Sequence, residues 1–161
     1  EKGNPPSKFK RLFEQAIKEG FLTVAHAGEE GPPEYIWDSL NLLKIKRIDH
    51  GVQCLNDKKL VEKLVKDQTP LTVCPLSNVK LCVFDKLENH NLKKLLNKGL
   101  RVVVNSDDPA YFGGYLNKNL IDTSKALNLG FEDIKKLIEN SFKSSFLNEE
   151  SKKDWLKKIN S

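Results

Sequence analysis

The chain has 161 residues, 39% hydrophobic and 30% charged, with a formal net charge of +5, the composition of one globular domain or part of a larger one. No apolar run approaches the roughly 18 residues that span a bilayer, and no signal peptide is visible. The excess positive charge is spread over lysines, with only Arg11, Arg47 and Arg101 as arginines, which argues against a nucleic-acid reader.

Cys54, Cys74 and Cys82 form no CxxC pair. A disulfide framework and a zinc knuckle are therefore not expected. The three read as small apolar fillers in a reducing cytoplasm. The sequence holds no methionine and opens on Glu1 and Lys2, so we expect an internal or carboxy-terminal piece of a longer product.

Residues 7–18 carry Phe9, Leu12, Phe13, Ala16 and Ile17 at helical spacing, with Gly20 as a stop. The apolar run 21–25 reads as a strand delivering His26 and breaking at Gly28. Pro32 and Pro33 suit a helix start, and the helix continues over 34–43 with Tyr35, Ile36, Leu40 and Leu43 as its apolar positions. Residues 47–51 form a short strand broken by Gly51. Asn56 or Asp57 caps a helix running to about Asp67, with Leu60, Val61, Leu64 and Val65 inward. Residues 71–74 are a strand stopped by Pro75, followed by an irregular stretch through Phe84. Residues 91–97 form a helix closed by Gly99, and 100–104 form the most β-branched strand. Helices over 116–127, 131–146 and 151–159 complete the chain.

Strands alternating with helices imply parallel pairing. The expected fold class is α/β: four strand-helix units, or half of a (β/α)8 barrel, with extra carboxy-terminal helices. An open half leaves unpaired edges, so residues 1–161 should be part of a single barrel domain whose other half comes from elsewhere in the protein or from a complementary chain.

The strand ends collect chemistry at one edge, as barrel enzymes do. The first offers His26 and Glu29, the second Asp49 and His50, the third Ser77 and Asn78, and the fourth Asp107 and Asp108. Singly, each has a plain structural explanation: a strand-end histidine hydrogen-bonds its neighbours, and Asp-Asp-Pro caps a turn. Coincidence of all four at one edge favours function. Adjacent aspartates diverge on an extended backbone, and a divalent ion would relieve their repulsion. Nitrogen from His26 and oxygen from Asp107 suit zinc, although two protein ligands leave the set incomplete. His90, between Asn89 and Asn91, reads as a surface residue.

In this order and at these separations, His26-Ala-Gly-Glu29, Arg47-Ile-Asp-His-Gly51, Cys74-Pro-Leu-Ser-Asn78 and Ser106-Asp-Asp-Pro109 resemble the carboxy-terminal half of the adenosine/adenine deaminase family. Residues 26–33, 47–52 and 107–114 look closer to its adenine deaminase branch. The resemblance implies a zinc-dependent barrel hydrolase that removes the 6-amino group of a purine. His26 and Asp107 would be metal ligands, and Glu29 the donor of a proton to ring N1. His50 would orient and help deprotonate the attacking water, and Asp108 would bind the purine's imidazole edge. Donation by Glu29 requires surroundings that favour the protonated carboxyl.

The family's His-x-His pair, which completes the zinc site, is absent here, so the chain alone is expected to be inactive while its parent turns over substrate. The expected reaction is adenine to hypoxanthine and ammonia in purine salvage, on a small-molecule purine with no nucleic-acid or membrane partner. Adenosine as substrate, and a lapsed barrel serving as a binding module, are the alternatives, and intact Glu29, His50, Asp107 and Asp108 speak against lapse. Asp49 either disfavours a ribosyl group, or contacts the free imidazole edge, or orients His50.

Overall fold

The computed structural model describes residues 1–160. Its centre is a parallel sheet of four strands in the order β1-β2-β3-β4: β1 (Val24–Ala27), β2 (Arg47–His50), β3 (Leu71–Val73) and β4 (Val102–Val104). Around it run α1 (Lys10–Lys18), α2 (Pro33–Asn41), α3 (Lys58–Asp67), α4 (Pro75–Lys80), α5 (Leu92–Asn97), α6 (Pro109–Phe112), α7 (Leu116–Leu127), α8 (Phe131–Ser144) and α9 (Glu149–Ile159). Each strand lies beside its neighbours in sequence, with a helix in each connection, as expected for half of a barrel.

Register explains why the two faces of the sheet differ. Ala25 pairs with Ile48, and Ile48 with Leu71; His26 pairs with Asp49, and Asp49 with Thr72. Successive side chains on a strand point to opposite faces, so Ile48 and Leu71 belong to one face, and His26, Asp49 and Thr72 form a polar row on the other. Ile48, Leu71, Val73 and Val102 are fully buried in a core shared with Ile36, Leu60, Leu64, Leu92, Leu95 and Leu137. Each such side chain stabilises the fold by roughly 1.5–3 kcal/mol. Among the described residues no helix is long and apolar enough to cross a membrane.

The caps follow the sequence chemistry. Asp57 Oδ1 accepts from the backbone N–H groups of Lys59 and Leu60 at 2.9 and 3.2 Å, while Oδ2 accepts from Trp37 Nε1 at 2.8 Å. One carboxylate thus starts α3 and ties it to α2.

Three expectations are corrected. The first strand begins at Val24, not Phe21: the Phe21 N–H is taken by the Ala16 carbonyl at the end of α1, and Phe21 and Leu22 stay exposed. The apolar stripe of α1 exists, but Phe9, Leu12 and Ile17 lie open, and only Phe13 packs against the core. The stretch after Pro75 is helical, because proline occupies the first turn of α4, where its missing N–H costs nothing.

Gly28 makes the turn after β1 possible. Its φ is +72°, and a Cβ there would lie 2.4 Å from Ile36 Cδ1. We expect Gly28→Ala to destabilise the protein by about 1–3 kcal/mol, measured as a lower urea midpoint. Gly113→Ala, also at positive φ but with no atom within 4 Å of the added Cβ, should lose only the backbone contribution of about 1–2 kcal/mol.

Candidate active site

The turn at Gly28 folds Glu29 back beneath the end of β1. Glu29 is 2% exposed, and its carboxyl lies between two imidazoles, with Oε2 3.0 Å from His26 Nε2 and Oε1 3.2 Å from His50 Nδ1. The two rings stack obliquely, their centroids 4.4 Å apart. The loop after β1 is drawn in by Glu1, whose carboxylate accepts from the N–H groups of Glu29, Glu30 and Gly31 at 3.2, 3.0 and 2.6 Å. Gln53 fastens the same loop from the β2 side, its Nε2 donating to the Glu29 carbonyl at 3.0 Å.

His50 and Asp107 both adopt left-handed backbone, with φ of +65° and +57°. Non-glycine residues rarely do so, and such strain gathers at functional sites. The twist turns each side chain inward at its strand end. His50 Nε2 lies 3.8 Å from Asp107 Oδ2, and the same oxygen accepts from Ser77 Oγ at 2.7 Å. Donor atoms of His26, Glu29 and His50 lie within 4.8 Å of one another, as do those of His50, Cys74 and Asp107. His50 is thus common to two clusters that bring nitrogen and carboxylate oxygen to the strand ends, a donor set that fits a borderline divalent cation such as zinc.

Protonation follows from these neighbours. Burial opposes charge on His26, but the hydrogen bond to Glu29 and the charges of Glu29 and Glu1 outweigh it and raise its pKa above the ordinary histidine value. At His50 burial prevails over the attraction of Glu29, aided by repulsion from His26, and its pKa falls.

Asp108 lies outside this knot. Its Oδ1 accepts from the N–H groups of Ala110 and Tyr111, both at 3.1 Å, and caps α6. Asp49 accepts from Thr72 Oγ1 at 2.6 Å and lies 3.7 Å from Arg47 Nε, so its close partners are those two residues rather than His50.

Two residues missed or misplaced by the sequence reading complete the site. His90 is not on the surface: it is buried against Phe84, with ring centroids 4.3 Å apart. Its Nε2 bonds Asn78 Oδ1 at 3.1 Å, and its Nδ1 accepts from the Leu92 N–H at 3.0 Å. Asn78, placed at the third strand end but given no role, sends Nδ2 to Glu29 Oε1 at 2.5 Å and to His50 Nδ1 at 3.2 Å. The only signal for His90 was a histidine just ahead of an apolar helix, and its asparagine neighbours masked it. Cys54 and Cys74 are buried, with thiol pKa values pushed up by burial, but Cys82 is exposed and fills no core.

Known proteins share this sequence and fold. A family model described as adenosine deaminase matches residues 1–161, and the chain belongs to that family. An adenine deaminase of Crocosphaera subtropica is 64% identical over 152 residues, which are 94% of this chain and 47% of that protein. The crystal structure of an adenine deaminase from Arthrobacter aurescens superposes with a TM-score of 0.98 at 49% identity, covering 99% of this chain and 49% of that one. An amidohydrolase from Burkhoderia ambifaria with bound Zn shares the fold, with a TM-score of 0.91 at 23% identity over 99% of this chain and 45% of that one. The chain spans about half the length of the curated relatives it matches.

Burial holds the His90 pKa at about 4, below the unfolded value of about 6.5. The neutral ring therefore contributes stability that is complete above pH 6.5 and lost as pH falls towards 4, on the order of 3 kcal/mol. We expect ring 15N shifts of His90 to stay those of a neutral imidazole down to about pH 4, and acid destabilisation between pH 6.5 and 4 to be shallower in His90→Gln by urea unfolding. Titration of His90 near 6.5 would contradict this.

Proposed function

We propose that this chain is the carboxy-terminal half of a (β/α)8 barrel that hydrolyses adenine to hypoxanthine and ammonia, water replacing the 6-amino group. The observation that carries this reading is the Glu29 carboxyl, buried between two imidazoles at the same sheet edge as Asp107. Groups that would serve as proton donor, general base and metal ligands thereby gather at one edge of the sheet. Identities of 56–64% to adenine deaminases support the base rather than the nucleoside as substrate.

His26 and Asp107 would hold a zinc ion with ligands from the rest of the barrel; such an ion supplies the Lewis acidity that brings the pKa of water to about 7. His50 would orient the attacking water and help deprotonate it. Glu29 gives a proton to purine N1, so the ring accepts the electron pair as the nucleophile adds at C6. Asp108, whose Oδ1 caps α6, would meet the imidazole edge through Oδ2. A place in purine salvage in the cytoplasm follows from this reading.

Full-length protein should bleach the adenine absorbance and leave adenosine nearly untouched; the opposite preference would favour nucleoside deamination, and activity on neither would favour a binding module. Glu29→Gln should lower kcat by about 10²–10⁴-fold, while adenine binding persists by calorimetry. Chelation should abolish turnover and zinc restore it, and His26→Ala should lower the metal content measured by mass spectrometry.

A further inference from the structure

Glu29 belongs to a loop whose backbone is gripped from two sides. On the N–H side, Glu1 reaches in from the segment ahead of α1, 28 residues away. Its Oε1 accepts from the Glu29 N–H at 3.2 Å, and its Oε2 accepts from the N–H groups of Glu30 and Gly31 at 3.0 and 2.6 Å. Three consecutive N–H groups turned to one point form a concavity suited to an anion, and a single carboxylate fills it. On the carbonyl side, the Gln53 N–H donates to the Gly28 carbonyl at 2.9 Å, and Gln53 Nε2 donates to the Glu29 carbonyl at 3.0 Å.

The loop is shaped to admit this carboxylate. A Cβ at Gly31 would lie 3.0 Å from Glu1 Oε2 and 2.6 Å from Tyr35 Cδ2, so a side chain there would displace either the carboxylate or the Tyr35 ring. Bonds to an ionised acceptor are about twice as strong as neutral ones, and the Glu1 side chain is only 16% exposed. Its Oε1 is 3.9 Å from His26 Nε2, beyond hydrogen-bonding distance, so the bonds of Glu1 go to the loop. With its N–H and its carbonyl both held, the Glu29 backbone cannot swing, and its carboxyl keeps one place. A reacting group misplaced by about 1 Å can cost about 10²-fold in rate.

We propose that Glu1 is a positioning residue: its carboxylate, seated on the N–H groups of residues 29–31 and opposed by Gln53, sets where the Glu29 carboxyl stands against the substrate ring. The catalytic consequence rests on the deaminase reading above, whereas the seating of the loop does not.

The test uses the full-length, zinc-loaded protein and its Glu1→Ala and Gln53→Leu variants. Glu1→Ala removes the equivalent of one acetate ion. It should lower kcat for adenine by about 10–100-fold, with KM within a few-fold of wild type. Added acetate should restore kcat severalfold, whereas acetamide, whose NH2 group meets an N–H donor, should not. Acetate should speed neither wild type nor Gln53→Leu, which keeps its own Glu1 carboxylate. Hydrogen exchange at the Gly31 amide should be slow in wild type, fast in Glu1→Ala and slow again with acetate.

Rapid exchange of the Gly31 amide in wild type overturns the proposal without any variant having to fold. So does an undiminished kcat in Glu1→Ala, a loss that acetate leaves unchanged, or acetate that speeds Gln53→Leu equally. If wild type deaminates no adenine while its Gly31 amide is protected in the manner described, the functional reading fails and the seating of the loop stands.

Discussion

The site depends on the burial of one carboxyl group among groups that can satisfy it. Glu29 is removed from water, and each of its oxygens meets specific partners: His26 at one, Asn78 and His50 at the other. A buried carboxyl without such partners would cost several kcal/mol. The surrounding devices serve this arrangement. Gly28 supplies a turn that a side chain would block at Ile36, Glu1 and Gln53 hold the loop, and α4 brings Asn78 from beneath the third strand. The left-handed backbone at His50 and Asp107 stores strain of about 1–3 kcal/mol each, maintained by the packed sheet behind it.

The division of labour between the two sheet faces accounts for this capacity. One face is an apolar layer of Ile48, Leu71, Val73 and Val102 locked under helices. The other presents His26, Asp49 and Thr72 side by side in register. Rigidity from the first positions chemistry on the second, the relation that lets barrel folds hold reacting groups at strand ends.

Much of this was legible from residue order. A strand followed by glycine announces where side chains are presented, which marks His26, Glu29 and His50, and the β-branched run before Asn105 marks Asp107 in the same way. The limits of α7 and the caps of α3 also followed local chemistry. What failed was information held in tertiary packing. Phe21 and Leu22 have strand propensity, but among the described residues no strand pairs with them. Pro75 reads equally as a stop or as the first residue of a helix, and packing decides. His90 looked solvated between two asparagines, but Asn91 turns its amide to the Val52 carbonyl and Asn89 binds Asp85, which leaves His90 to point inward.

The outer rim of β4 has a consequence for how the sheet can grow. Arg101, Val103 and Asn105 direct their backbone groups towards β3, so Val102 and Val104 face outward. Val102 is already spent: its N–H goes to the Leu100 carbonyl, and its carbonyl takes the amide of Asn140 from α8. Among the described residues only Val104 offers a free rung, and Asp107 stands just beyond it. A strand added along this rim would pair through Val104, one turn of chain from Asp107, so its place on the sheet and its distance from the site would be set by the same rung.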